Sequence, residues 1–96
     1  MNEQQSTSTV TSRWQVEVFL GERDGRTHAE ARLHTSDRTH LVGTGTARLN
    51  PRDRDVPEIG EELAAARALS DLAHKLVEAA ASDIEGVTRQ RVVLDA

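Results

Sequence analysis

GTGTARLNPRDRDVPEIGEELAAARALSDL, residues 43–72, decides the fold. Its first part alternates: Leu41, Gly43, Gly45, Ala47 and Leu49 fall on one side of an extended chain from His40 to Asn50, so this is a strand with glycine on one face. Asn50-Pro51 ends it, because proline has no N–H to give to a ladder. Asp55-Val56-Pro57-Glu58 then reads as a helix start, with Asp55 as cap, Glu58 three residues on and Pro57 in the first turn. Ile59, Leu63, Ala66, Leu69, Ala73, Leu76, Val77, Ala80 and Ile84 recur at helical spacing and predict a long helix with that stripe on the sheet, stopping near Gly86.

Upstream lies a hairpin. Trp14, Val16, Val18 and Leu20 alternate with Gln15, Glu17 and Phe19 in a strand from Arg13 to Leu20. Asp24-Gly25 follows, a two-residue turn signal in which both positions take positive φ. The second strand is then Thr27 to His34. Counting outward from the turn pairs Leu20 with Ala29, Val18 with Ala31, Val16 with Leu33 and, on the other face, Glu17 with Arg32. Across the polar turn at residues 35–39, Leu33 pairs with Leu41, Ala31 with Gly43 and Ala29 with Gly45. Glycine inside a strand weakens it and marks a close approach, here by the alanine-rich helix. Packing outweighs a phosphate-loop reading of Gly43 and Gly45, whose spacing is incomplete and lies within the alternation.

The predicted fold is α+β, a three-stranded antiparallel meander packed on one long C-terminal helix (β-β-β-α). Val92-Val93-Leu94 is either a short fourth strand or a docked tail. Residues 1–12 read as a disordered polar tail and residues 13–96 as a single domain. The whole chain has 96 residues, 36% of them hydrophobic and 2% aromatic, so its core must be thin and aliphatic. A net charge of −4 argues against a general phosphate-binding surface, and the absence of cysteine removes disulfides and thiolate metal sites. With neither a membrane-length apolar run nor a leader pattern, the expected location is the cytoplasm and no membrane partner is expected.

The run from Gly43 to Pro51, with Asp53, Val56-Pro57-Glu58-Ile59-Gly60, Glu62-Leu63-Ala64 and Arg67 to Leu72, resembles a small actinobacterial family known as domain of unknown function 1876. Trp14-x-Val16-x-Val18 and the Asp24-Gly25 hairpin share the resemblance, which covers Trp14 to about Ile84. It implies a fold similar to the double-stranded-RNA-binding domain. It implies no activity and carries over no site residues. The N-terminal helix of the RNA-binding fold has no counterpart here, since residues 1–12 are poor helix formers.

Chemistry-bearing residues are few. Glu62 falls inside the apolar arc of the helical wheel and needs a partner if buried; a structural ion pair with an arginine, or exposure in the first turn near the positive helix end, outweighs catalysis for a lone carboxylate. Arg67 borders the stripe, within reach of Asp71 or Asp53, and Arg48 sits where the strand meets the turn. The same register sets His34 opposite His40, two ligands of an incomplete zinc set with Asp37 between, so these are weak metal candidates and no cofactor is expected. Arg48, Arg52 and Arg54 interleave with Asp53 and Asp55, and the helix start carries Glu58, Glu61 and Glu62, which repel phosphate. The expected function is a small non-enzymatic interaction or regulatory domain with a second copy as partner, a dimer, alongside an unidentified protein partner. A nucleic-acid-binding module, for double-stranded RNA or DNA, is the alternative by fold analogy.

Overall fold

The structure is a computed structural model in which residues 11–36, 40–48, 57–88 and 93–94 are described. Three strands, β1 (Gln15–Arg23), β2 (Arg26–His34) and β3 (His40–Arg48), form an antiparallel sheet in sequence order, and one helix, α1 (Pro57–Thr88), follows. The turn between β1 and β2 is two residues long, with φ of 54° at Asp24 and 72° at Gly25, the geometry that splices two right-twisted strands. It fixes the register. Leu20 pairs with Ala29, Val18 with Ala31, Val16 with Leu33 and Glu17 with Arg32. The second ladder sets Ala29 by Gly45, Ala31 by Gly43, Leu33 by Leu41 and His34 by His40. Every predicted pair is formed. β1 runs three residues further than expected, to the turn itself, which adds the Arg23–Arg26 closing pair.

The helix begins at Pro57 as predicted, while the expected cap Asp55 and the Asn50-Pro51 turn lie outside the described residues. It continues through Gly86 to Thr88, so this glycine does not stop it. A 32-residue helix runs about 48 Å. A nine-residue strand runs only about 30 Å. The last turns of α1 therefore project past the sheet. No strand forms at Val93 or Leu94, which removes the fourth-strand reading for those two residues; Val92 lies outside the described residues. Leu94 instead lines an open cleft of about 570 Å³ with Trp14, Leu33, Leu41 and Leu76.

The face of α1 on the sheet differs from the predicted stripe. The buried helix positions are Gly60, Ala64, Ala68 and Leu72, one residue every four, joined by half-buried Leu76. Ile59, Leu63, Leu69 and Ile84 are exposed instead. The cause is the glycine floor. A methyl built on Gly43 would fall on the Ala68 carbonyl oxygen and lie 2.8 Å from the Leu72 Cβ. One on Gly45 would lie 2.6 Å from the Ala64 carbonyl oxygen and 2.7 Å from the Arg67 Cβ. The helix backbone rests almost directly on the β3 backbone, and only its smallest side chains fit between them. The core is accordingly Ala29, Ala31, Leu33 and Ala47 from the sheet with Ala64, Ala68 and Leu72 from the helix.

Candidate interaction surface

The two edges of the sheet are treated differently. In an antiparallel sheet backbone groups alternate in direction along each strand. The two-residue turn makes Arg23–Arg26 a closing pair, so the odd residues of β1 bond to β2. By the same alternation the odd residues of β3 bond to β2, and Val42, Thr44 and Thr46 turn their N–H and C=O groups outward.

Three side chains on one row of α1 meet that outer edge. Arg67 Nη1 donates to the Thr46 carbonyl at 2.8 Å. Asp71 Oδ2 accepts from the Thr44 N–H at 2.9 Å. Lys75 Nζ donates to the Val42 carbonyl at 2.7 Å. The order cation, anion, cation matches the order carbonyl, amide, carbonyl along the strand. Lys75 and Asp71 also lie 3.2 Å apart. The Thr44 amide, and then the Lys75 ammonium, hold the Asp71 carboxyl below its ordinary value of 3.8. Arg67 was expected to meet Asp71 or Asp53; it donates to backbone, Asp71 is bound by Thr44 and Lys75, and Asp53 lies outside the described residues. Unpaired strand edges recruit further strands, and this edge is closed by side chains that mimic one.

β1 has no such cover. Its outer edge pairs with no strand among the described residues. The helix lies on β3 and β2 and barely reaches β1. Val16, Val18 and Leu20, which point to the helix side, are 44%, 37% and 43% exposed. Leu69 on the helix adds a further exposed aliphatic side chain at 43%. Because even residues of β1 point their backbone groups to the outer edge, the same three residues offer both apolar side chains and backbone groups with no ladder partner among the described residues. A contiguous exposed apolar strip of this kind marks contact surfaces in monomeric proteins.

The opposite face of the sheet is polar, and part of it is paired internally. His34 Nε2 lies 2.8 Å from Glu17 Oε1, a diagonal cross-strand pair. Arg32 pairs with Glu30 and sets its guanidinium 4.5 Å from the centre of the Phe19 ring.

The structure brings His34 and His40 together, ring centroids 6.0 Å apart and edge to face. Among the described residues no group of three or more His, Asp or Glu side chains is placed to hold a metal, and His34 already faces Glu17; Asp37 lies outside the described residues. Glu62 is exposed rather than turned inward, because the buried arc is centred on Ala64 and Ala68 and not on the larger aliphatic residues. Arg48 is exposed at the end of β3, opposite Arg26. Sequence reasoning missed Lys75 and gave Asp71 the wrong partner. Their signal was present: Arg67, Asp71 and Lys75 are spaced i, i+4, i+8 beside the small-residue row.

No described helix is long and apolar enough to cross a membrane. The family model described as Rv2632c-like matches residues 12–93. A relative from Mycobacterium tuberculosis, uncharacterized protein MT1780, is 51% identical over 81 residues, which is 84% of this chain and 85% of the relative. A second from that species, uncharacterized protein Rv2632c, is 53% identical over 78 residues, 81% of this chain and 83% of the relative. The crystal structure of Rv2632c superposes with a TM-score of 0.77 at 49% identity, spanning 88% of this chain and 99% of that one. With the meander, the glycine-floored helix contact and these matches together, the chain belongs to the Rv2632c-like family.

Proposed function

We propose that the chain is a small non-enzymatic interaction domain that works as a pair, with β1 of one copy meeting β1 of another. The observation that supports this is the contrast between the edges: β3 is capped by Arg67, Asp71 and Lys75, while β1 keeps an open edge and three half-exposed aliphatic residues. Antiparallel pairing about Val18 sets Val18 against Val18 of the second copy and Val16 against its Leu20. Apolar side chains then meet on the helix side of a six-stranded sheet, and the free backbone groups of both edges are used. Gln15, Glu17 and Phe19 remain on the polar face.

In this reading residues 13–96 act as one cytoplasmic domain of the type called domain of unknown function 1876, with a fold like that of the double-stranded-RNA-binding domain. Any regulatory role follows from which further protein the paired sheet meets. Duplex binding is the lesser reading. Glu58, Glu61 and Glu62 are all exposed at the start of α1, where their charge opposes a phosphate backbone. The testing experiment is mass against concentration by light scattering, with wild type and Val18→Lys compared. A dimer lost in the variant supports the pairing. A wild type monomeric at every concentration rejects it.

A further inference from the structure

The polar face of the sheet ends in a row of three arginines. Arg23 pairs with Arg26 across the first ladder, and Arg26 pairs with Arg48 across the second. Cross-strand partners share a face, with Cα atoms about 4.5–5.5 Å apart, so three arginines stand side by side on adjacent strands. All three are exposed, and among the described residues none has an acidic partner. Like charges directly opposite destabilise a sheet, yet here two such pairs are stacked. The next row on this face is Gly21, His28 and Thr46, which also holds no acid. A methyl added at Gly21 would meet nothing within 4 Å, so the surface beside the arginines is open, and the shallow depression next to them is lined by Gly21, His28 and Thr46 with Phe19 and Glu30 at its far side. The Glu30 carboxylate there is already bound to Arg32.

We propose that this corner is a binding site for a small phosphate-class polyanion, a di- or triphosphate group. The arginines donate to its oxygens in forked pairs, as guanidinium does to phosphate, and the ligand lies over Gly21 against His28 and Thr46. Among the described residues the cationic area is three residues wide, with Asp24 in the turn beside it and Glu30 and Glu17 along the sheet. That fits a compact anion and not an extended one, which would run onto the acidic surface of a chain of net charge −4. The site lies on the face opposite the β1 aliphatic strip and does not depend on pairing between copies.

The test uses the full chain, inorganic triphosphate as probe, constant ionic strength, and amide shifts by NMR. Saturable shifts at Gly21, Arg26, His28 and Thr46 are expected, weakened by about tenfold or more in Arg26→Ala. Arg13→Ala, an exposed arginine at the other end of β1 from this corner, should bind as wild type does. Without ligand, Arg26→Ala should melt higher than wild type, because the central repulsion is gone, and triphosphate should raise the melting temperature of wild type alone. A purely structural arginine would give the reverse order. Absence of saturable shifts, or equal weakening by Arg13→Ala, overturns the proposal. Tighter binding of duplex RNA with shifts spreading onto α1 also overturns it, in favour of an extended polyanion.

Discussion

The carboxylate of Asp71 accepts the backbone N–H of Thr44 at 2.9 Å, joining the helix to the outer edge of β3 across 27 residues of chain. With Arg67 and Lys75 on either side, it turns one helix row into a substitute strand. Hydrogen exchange at the Thr44 amide reads this bond directly. In Asp71→Ala the Thr44 amide should exchange faster while the Ala31 amide, inside the sheet, changes little. Equal loss of protection at both would mean general destabilisation and not an uncapped edge.

The same bond sets a pH dependence. The Asp71 carboxyl titrates below its ordinary value of 3.8, chiefly because the Thr44 amide favours the ionised form and then because Lys75 does. The unfolded chain therefore takes up this proton first as pH falls. Its contribution to stability is complete above the ordinary value and disappears as pH drops through the lowered one. Denaturant midpoints of wild type and Asp71→Asn should differ at neutral pH and converge in acid. A gap that stays constant from neutral pH to acid would contradict the assignment.

Gly43 has no room for a side chain. A methyl there would fall on the Ala68 carbonyl and lie 2.8 Å from the Leu72 Cβ, so Gly43→Ala must push the helix off the sheet. Overpacking of this kind costs about 3 kcal/mol. Gly21→Ala, in open space, is the matched control. Chemical denaturation should show a large loss for Gly43→Ala and a small change for Gly21→Ala.

Leu72 and Leu63 lie nine residues apart on one helix and have opposite fates. Leu72 is buried in the core at 4% exposure, and Leu63 is 45% exposed. Leu72→Ala should cost about 2–5 kcal/mol by loss of packing. Leu63→Ala should cost well under that. Urea unfolding of the two variants checks the orientation of α1, and equal losses would place the helix differently.

The contrast also shows what was legible in the sequence. The hairpin register was readable because Asp24-Gly25 leaves a single way to pair the strands, and every later pair follows from it. Gly43 and Gly45 announced the helix contact. The helix face was misread because the wheel was centred on the largest aliphatic residues. Burial normally follows side-chain size, but a backbone contact over glycine selects the smallest face, Gly60-Ala64-Ala68. Glu62 then falls outside, and Arg67, Asp71 and Lys75 fall on the β3 side. Their backbone bonds follow from which strand the helix overlies, and a wheel does not carry that information. The sparse cover of β1 among the described residues has the same origin: one helix centred on β2 and β3 barely reaches a third strand.

Pairing through that strand is the central claim, and sedimentation velocity over a wide concentration range tests it most directly. Wild type should shift from monomer to dimer as concentration rises. Val18→Lys, with a charge at the centre of the open edge, should remain monomeric with an unchanged circular dichroism spectrum. A wild type that stays monomeric throughout, or a dimer that Val18→Lys leaves intact, would contradict the account.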